Sequence, residues 1–368
     1  MNMKKFMQAG ALSLAMLATS LATPAEVNGC TGLQLAAQNG ASVNGRTLEF
    51  GIYIDAAVVV VPRGYAFTGT TTQGPGLSYK TKYATVGFIA FNNLSVMDGM
   101  NEKGLSVGTF YFPGFAGYSQ ITSENQSKAV SQFEFSNWLL TQFASVSEIK
   151  AALPNIAIAP VVIKSWGATP SPFHYIVYDK NGESLVIEPI NGKLVTYDNP
   201  IGTFTNSPTF DWHLTNLRNY INLSAINAKP LKIDGLTLTS FGQGSGLVGM
   251  PGDFTPPSRF VRASIFSFTA IPSKTTEEAV YQLFHILNQF DIPVGTVRAV
   301  ENGVTYTDMT LVTAVRDPQA LKYYFRTFED STIRVVDLKR FDLDAKVVKK
   351  LDPSIFKQFA VDISKDLK

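Results

Sequence analysis

The sequence predicts an α+β domain in which antiparallel sheets pack against two groups of helices. Strand-like stretches come in batches, at residues 30–61, at 84–112 and in a meander whose runs read HYIVYD, ESLVIEPI and KLVTYD. Helical periodicity is concentrated in two separate stretches, 131–153 and 275–290. Strands and helices that are grouped in this way favour an α+β layered domain over a chain of alternating βαβ units.

The first batch of strands begins with a predicted hairpin. Its turn is Asn39-Gly40, a dipeptide typical of a two-residue connection between antiparallel strands. Counting outward from that turn places Glu49 opposite Cys30, and directly opposed residues share one face of a sheet. The hairpin therefore predicts that the Glu49 and Cys30 side chains are neighbours.

Arg46 lies three residues before Glu49, so in a regular strand its side chain points to the other face. Arg46 and Glu49 can both reach Cys30 only if the strand ends, twists or bulges near them. We predict a bulge at Asn44-Gly45. Without it, the two residues are an exposed cation and an exposed anion on opposite faces of a strand.

The two helical stretches are predicted from apolar residues at helical spacing. In the first stretch these residues are Phe133, Trp138, Leu139, Phe143, Val146, Ile149 and Leu153. The second stretch begins at Thr275-Thr276-Glu277-Glu278, where a threonine cap and early acids are typical of a helix N-terminus. Late strands are predicted at 307–315 and 321–328.

Residues 1–29 have the pattern of a secretory signal peptide followed by a short propeptide. Lys4 and Lys5 precede an apolar run that ends in small residues near Ala22 or Ala25. The run is short for a membrane span, and no later apolar segment is long enough for one. We expect an exported, soluble protein, periplasmic or secreted, with residues 30–368 as one domain.

Composition and motifs exclude several function classes. The net charge of +2 provides no strong field for a nucleic-acid partner. No HExxH or paired-cysteine pattern predicts a metal site, and the Gly-rich stretch at 242–246 lacks the lysine of a phosphate loop. We therefore expect no metal and no cofactor. The three histidines are predicted to be structural.

Cys30 is the only cysteine, so no intrachain disulfide forms. Cleavage after Gly29 would expose its α-amine, whose pKa of about 7.7–8.0 leaves a useful neutral fraction near pH 7. That amine could take the proton of the Cys30 thiol, and a nearby arginine would lower the pKa of the thiol. An N-terminal nucleophile of this kind needs no histidine.

Three other interpretations of Cys30 remain open at this point. Val27-Asn28-Gly29-Cys30 loosely resembles the motif of a lipid-anchored cysteine, although polar residues separate it from the apolar run. An inert cysteine buried in the first strand is a second interpretation. A Cys–His hydrolase is a third, but nothing in the sequence pairs Cys30 with a particular histidine.

Six segments together resemble one known family. In chain order they are CTGLQL, NGRTLEFG, VPRGY, DGMNEKGLSVGTFYFPGFAGY, FTNSPTFDWHLTNLRNY and GMPGDFTPPSRFVRA. They are similar to the choloylglycine hydrolase family, which contains bile salt hydrolases and penicillin V acylases, over nearly the whole mature chain. FHILNQFDIPVG and the leader make the chain most similar to the Gram-negative branch. The resemblance implies a four-layer αββα N-terminal-nucleophile fold.

The resemblance also implies the roles of individual residues. Cys30 would be the nucleophile and its own amine the base, while Arg46 would contact the thiol. Asn206 matches an asparagine of the oxyanion hole, and Arg259 matches a second active-site arginine. Without the resemblance, Asn206 is typical of an ordinary turn and Arg259 of a surface charge.

Two positions depart from the pattern of many family members. Glu49 stands where many have aspartate, and its longer side chain changes the expected contact to the α-amine. Tyr111 stands where many have asparagine. If that position contributes its backbone N–H to the oxyanion hole, tyrosine supplies the same donor.

The activity implied by the resemblance is hydrolysis of a linear amide, with conjugated bile salts as the expected small-molecule substrates. Penicillin V and N-acyl-homoserine lactones are alternative substrates. The resemblance further implies a homotetramer in which the region around 215–246 forms an exchanged arm. The alternative of another class is a non-catalytic binding protein, secreted or lipid-anchored, in which Cys30 is inert.

Overall fold

The structure, a computed structural model, describes residues 29–51, 54–164, 166–301, 303–357 and 360–367. The predicted leader at 1–28 lies outside the described residues. Five α-helices occur in the described part of the chain: α1 (Phe135–Gln142), α2 (Val146–Ala152), α3 (Phe210–Leu217), α4 (Pro256–Thr269) and α5 (Thr276–Leu287). The strands are β1 (Cys30–Ala36), β2 (Ser42–Phe50), β3 (Ala57–Val61), β4 (Ala66–Thr71), β5 (Gly74–Lys80), β6 (Thr85–Ile89), β7 (Asp98–Asn101), β8 (Ser106–Tyr111), β9 (Ala129–Ser131), β10 (Ala157–Ala159), β11 (Phe173–Tyr178), β12 (Ser184–Ile190), β13 (Lys193–Asp198), β14 (Leu231–Ile233), β15 (Leu236–Leu238), β16 (Val297–Glu301), β17 (Val304–Asp317), β18 (Lys322–Thr327), β19 (Arg334–Asp337) and β20 (Lys349–Leu351).

Two large antiparallel sheets dominate the architecture. One has eight strands in the order β13-β12-β11-β8-β7-β6-β3-β20. The other has the order β1-β2-β17-β18-β19, with β16 paired to one end of the long strand β17. Cys30 is therefore the first residue of a strand at the edge of the six-stranded sheet.

Alternating side chains on the strands create three apolar layers. Val58 of β3 packs between the sheets with Ala314 and Phe325 of the six-stranded sheet. The next residue, Val59, points outward and joins the cluster that contains Leu139 of α1. On the far side of the six-stranded sheet, strand residues pack against α4 and α5. The result is a four-layer αββα arrangement, which confirms the predicted fold class.

The first hairpin differs from the prediction. Its loop has three residues, because the Ala37 N–H bonds to the Ala41 carbonyl at 2.8 Å. The Gln38 N–H instead bonds to the Ser273 carbonyl at 2.8 Å, so a long-range contact removes that residue from the ladder. A three-residue loop closed by a residue in the left-handed region is a common hairpin connection, and the φ of Gly40 is +80°.

This shift moves every pair by one residue. Cys30 lies opposite Leu48 rather than Glu49, so the predicted pairing was wrong. A slip of one residue exchanges the two faces of a strand. The predicted bulge at Asn44-Gly45 was also wrong: β1 and β2 pair without interruption, and the irregularity lies on β17 between Thr310 and Val312.

The structure divides the first predicted helical stretch and confirms the N-terminus of the second. The first is divided, with β9 before Phe135, and the Ser145 hydroxyl accepts from the Glu148 N–H at 3.2 Å to start α2. The predicted threonine cap is confirmed, since the Thr275 hydroxyl accepts from the Glu278 N–H at 3.2 Å. The hairpin β4–β5 and the long helix α4 were not predicted. Among the described residues, no helix is both long and apolar enough to cross a membrane.

Candidate active site

Cys30 lies in a buried apolar cluster between the two sheets, with only 2% of its surface exposed. Phe110 and Phe204 belong to the same cluster. The Sγ atom lies 2.6 Å from Nη2 of Arg46. The sulfur is thus shielded from solvent and faces a guanidinium donor.

The register of the first hairpin explains this contact. Arg46 is two residues from Leu48, which opposes Cys30, so Arg46 and Cys30 share a face of the sheet without any bulge. Its Nη1 donates to the Thr109 carbonyl at 2.6 Å, and its Cζ lies 3.9 Å from the centroid of the Phe110 ring. The guanidinium is therefore fixed by the neighbouring sheet.

A second charged cluster lies behind Arg46. Asp98 lies 3.7 Å from Nη1 of Arg46, and it also accepts from Arg316 and, at 2.6 Å, from the Tyr323 hydroxyl. All four side chains are buried. Asp98 opens one of the segments that resemble the family, but no local pattern in the sequence indicates its contact with two arginines.

Asn206 approaches Cys30 from the loop that follows β13. Phe204 and Gly32 exchange two backbone hydrogen bonds, of 2.9 and 2.8 Å, which align this loop with β1. Oδ1 of Asn206 accepts from the Cys30 backbone N–H at 2.8 Å, and its Nδ2 donates to the Tyr111 carbonyl at 2.8 Å. An amide nitrogen has two hydrogens, so Nδ2 retains one for another acceptor.

Arg259 reaches the same place from α4. It is 1% exposed, so the interpretation as a surface charge was wrong. Its Nη1 donates to the Cys30 carbonyl and, at 2.9 Å, to the Thr31 hydroxyl, while its Nη2 donates to Oδ1 of Asn206 at 2.8 Å. Asn206 is also buried, at 2% exposed, and is more than an ordinary turn residue.

Glu49 lies on the other face of β2. Its Oε1 accepts from the Thr310 hydroxyl at 3.2 Å, its Oε2 has no partner among the described residues, and its backbone N–H bonds to the Gly29 carbonyl at 3.0 Å. Burial raises the pKa of Glu49 to about 8, against the opposing effect of Arg259. A contact between this carboxyl and a free α-amine stays a prediction.

The protonation state of Cys30 is set by two opposing effects. Burial raises the pKa of the thiol to about 11, and this outweighs the lowering by Arg46 and Arg259. Arg46 does lower the pKa of the thiol, as predicted for a nearby arginine. Burial has the larger effect, so the pKa of the thiol is raised overall. A base within reach of the thiol is therefore needed to form the thiolate near neutral pH.

Tyr111 joins the site through its backbone. Its carbonyl accepts from Nδ2 of Asn206, and the residue is 4% exposed. The contribution of its N–H to an oxyanion hole stays a prediction.

A small cavity of about 30 Å³ adjoins Cys30. Its lining is mainly apolar and includes Phe50, Met97, Tyr111 and Trp166. Sites for drug-sized ligands have volumes of about 300–1,000 Å³. A bulky acyl group therefore requires the lining side chains to move apart.

Two histidines that were predicted to be structural lie next to Asn206. Nε2 of His213 is 2.8 Å from the Asn206 carbonyl, and Nε2 of His174 is 3.0 Å from the Thr205 carbonyl. Within the described part of the chain, neither histidine forms a hydrogen bond with Cys30. Within the described part of the chain, no cluster of three or more His, Cys, Asp or Glu residues is arranged to hold a metal ion.

Comparison with known proteins identifies the family. A family model described as linear amide C–N hydrolases, choloylglycine hydrolase family, matches residues 30–350. The chain belongs to this family. It is accordingly a hydrolase of linear amide C–N bonds, as the resemblance predicted.

Individual members of the choloylglycine hydrolase family match most of the chain. A bile salt hydrolase/transferase of Clostridium perfringens is 34% identical over 87% of this chain and 95% of its own length. A penicillin V acylase of Pectobacterium atrosepticum is 25% identical over 82% of this chain and 78% of its own length. A crystal structure of a conjugated bile acid hydrolase variant from Clostridium perfringens superposes with a TM-score of 0.80 at 32% identity, covering 91% of this chain and 100% of the other.

Proposed function

We propose that this hydrolase cleaves conjugated bile salts with Cys30 as an N-terminal nucleophile. One observation carries the proposal: three buried side chains from separate parts of the chain converge on Cys30. Arg46 contacts its sulfur, Asn206 accepts from its backbone nitrogen, and Arg259 donates to its carbonyl. Two buried arginines in contact with Cys30 are not expected if this cysteine is only an inert core residue.

The proposed reaction begins once residues 1–29 have been removed, so that Cys30 carries a free α-amine. That amine accepts the thiol proton, and the sulfur attacks the carbonyl carbon of the substrate amide. The tetrahedral oxyanion would be stabilised by the free Nδ2 hydrogen of Asn206 and the Tyr111 N–H. Proton transfer to the leaving nitrogen breaks the C–N bond and leaves a thioester, which water hydrolyses to the acid and free Cys30.

Bile salts are favoured over the alternatives by the relatives. Bile salt hydrolases match at 30–34% identity, against 25% for the penicillin V acylase. The cavity lining, with Phe50, Ile54, Phe88 and Met97, is apolar and suits the hydrophobic acyl part of any of these amides once the lining side chains have moved apart. Penicillin V is the second candidate, because its acylase is also a relative. N-acyl-homoserine lactones are a third.

The assembly and location of the protein are part of the same proposal. The predicted leader supports export to the periplasm or beyond, with residues 30–368 as the mature domain. The hairpin β14–β15 supports assembly into a homotetramer, since all six residues of its two strands are exposed. Four of these are large apolar side chains that another copy of the chain could cover: Leu231, Ile233, Leu236 and Leu238.

Cys30→Ala tests the proposal, with Cys30→Ser as a matched partner. We expect both variants to lose turnover of glycine- and taurine-conjugated bile salts while keeping the melting temperature of the parent, because the side chain is small and its volume changes little. Penicillin V and N-acyl-homoserine lactones are assayed in parallel. Full activity of Cys30→Ala on any of these amides would remove Cys30 as the nucleophile.

A further inference from the structure

Two buried imidazoles hold consecutive carbonyl groups at the edge of the site. His213 of α3 lies 2.8 Å from the Asn206 carbonyl, and His174 of β11 lies 3.0 Å from the Thr205 carbonyl, each through Nε2. A carbonyl oxygen can only accept, so both Nε2 atoms must carry the hydrogen. The contacts thus fix the tautomer of both rings.

Aromatic neighbours hold the two rings in place. His174 stacks on Phe112 with ring centroids 4.1 Å apart and planes inclined by 11°. His213 stacks on Phe260 at 4.6 Å and 13°. Both histidines are no more than 1% exposed. Their Nε2 donors therefore have little freedom to follow a carbonyl that moves.

The rings add no charge to the site. Burial lowers the pKa of His213 to about 4 and lowers that of His174 well below its usual value. Nδ1 of His174 faces Oε1 of Glu188 at 3.3 Å, and burial raises the pKa of that carboxyl to about 8. A protonated Glu188 can donate to Nδ1, which leaves Nε2 as the donor to Thr205.

Asn206 needs this support because its side chain has two tasks. Its Oδ1 accepts from both the Cys30 N–H and Arg259, while Nδ2 donates to Tyr111. Rotation of the peptide units on either side of Asn206 would disturb both ends of the amide at once. Donors on the carbonyls of 205 and 206 oppose that rotation.

We propose that His174 and His213 are positioning residues that set the orientation of the Asn206 side chain by holding the carbonyls of residues 205 and 206. They do not touch the thiol, and they act on the reaction only through Asn206. This inference rests on the proposed function, in which Asn206 contacts the oxyanion. It assigns a role to two histidines that do not contact Cys30 and that were predicted to be structural.

The test places two amide side chains of different reach at one position and measures kcat on the mature protein, after residues 1–29 have been removed. In His213→Gln the side-chain nitrogen reaches the place of Nε2, whereas in His213→Asn it reaches only the place of Nδ1. We expect His213→Asn to lower kcat by up to about 100-fold, because complete removal of an oxyanion-hole donor lowers kcat by about 10²–10³-fold, with KM changed little. His213→Gln should recover most of kcat.

His285→Asn is the matched control, because His285 is an exposed histidine on α5. It should leave both kcat and the melting temperature at the parent values. Equal kcat values for His213→Gln and His213→Asn would overturn the inference, as would a loss of melting temperature with no loss of kcat. If neither variant folds, His174→Gln and His174→Asn are compared in the same way.

A second readout separates this inference from the proposed function. The rate at which iodoacetamide alkylates Cys30 of the mature protein requires no substrate, and Asn206 contacts the backbone nitrogen of Cys30. We expect His213→Asn to change this rate and His213→Gln to preserve it. If the parent hydrolyses no amide but the rates differ, the proposed function fails and the positioning role stands. Equal rates in all variants overturn the positioning role.

Discussion

The guanidinium of Arg259 holds three groups of the site together: the Cys30 carbonyl, the Thr31 hydroxyl and the Asn206 amide. Its five N–H donors have a fixed planar geometry that lysine cannot reproduce. Because Arg259 is buried, its loss would leave several polar groups without a partner. Chemistry and folding are therefore coupled at this residue.

Arg259→Ala should lower both kcat and the melting temperature. Removing a charged donor from buried acceptors costs at least about 2 kcal/mol of folding free energy, and the freed Asn206 amide would no longer be aligned. Steady-state kinetics and thermal unfolding measure the two effects.

Arg262→Ala is the control for this prediction. Arg262 lies one turn along α4 and donates to the Pro251 and Asp253 carbonyls, away from Cys30. It should lower the melting temperature alone. If Arg259→Ala kept the kcat of the parent, Arg259 would have only a structural role.

The same residues show what local patterns omit. Asn206 and Arg259 contact Cys30 across 176 and 229 residues of chain. Neither has a periodicity or a turn motif that signals these contacts, and only the resemblance to a family indicated them. Cys30 could be identified as a candidate nucleophile from the sequence alone, because it is the single cysteine and follows a predicted leader.

Among the secondary-structure elements, the first hairpin matters most for the site. Its three-residue loop sets the register that places Arg46 beside Cys30. The Asn39-Gly40 dipeptide predicted the hairpin correctly, but the loop length depends on the bond from Gln38 to Ser273. Such a tertiary contact is not visible in the local sequence, so the predicted register was wrong by one residue.

Gly40→Ala tests the conformation of this loop. Its φ of +80° is strained for alanine, although nothing lies within 4 Å of the added Cβ. We expect a loss of about 1–2 kcal/mol of stability, the cost of a left-handed conformation for an L-residue, with kcat unchanged. Chemical denaturation measures the stability.

Gly252→Ala provides the comparison. The space around its added Cβ is equally open, and its φ lies outside the left-handed range. This variant should unfold at the parent's denaturant concentration. Equal stability of the two alanine variants would show that the loop does not require a left-handed residue at position 40.

The sequence of helix α4 contains a signal for a helix N-terminus, although this helix was not predicted. It begins at Pro256 and Pro257, and proline is favoured in the first turn of a helix. That signal could have placed Arg259 on a helix. The direction in which its side chain points still depends on packing against β1, which no local rule supplies.

At the scale of the whole molecule, the grouping of strands and helices was sufficient to predict an α+β layered domain. The residues that fill the space between the sheets were harder to predict, because many are polar or charged. Asp98, Arg316 and Tyr323 form a buried cluster whose members come from three strands. A cluster of this kind appears only when both sheets are in place.

Several carboxyls in the interior make stability depend on pH. Burial raises the pKa of Glu188 from 4.5 to about 8 and that of Asp308 from 3.8 to about 7. A carboxyl whose pKa is raised in the folded state stabilises that state. This contribution is complete at pH values below the pKa that the carboxyl has in the unfolded chain. That contribution is lost as the pH rises through the folded pKa.

We therefore expect the melting temperature to fall as the pH rises from about 6.5 to about 8, because below about 6.5 the lowered pKa values of His174 and His213 oppose the effect of the carboxyls. Glu188→Gln should make this decline shallower, because glutamine does not ionise. Differential scanning calorimetry across this range measures both. A decline of the same slope in Glu188→Gln would exclude Glu188 as a source.

The central claim is that Cys30 becomes the N-terminal residue and carries the acyl group. Its most direct test is the intact mass of the mature protein, quenched in acid during turnover of a conjugated bile salt. We predict a chain that begins at Cys30 and a fraction of molecules with one added acyl group, released by hydroxylamine and absent from Cys30→Ala. A chain that begins before Cys30, a lipid on Cys30, or an acyl group on another residue would contradict the account.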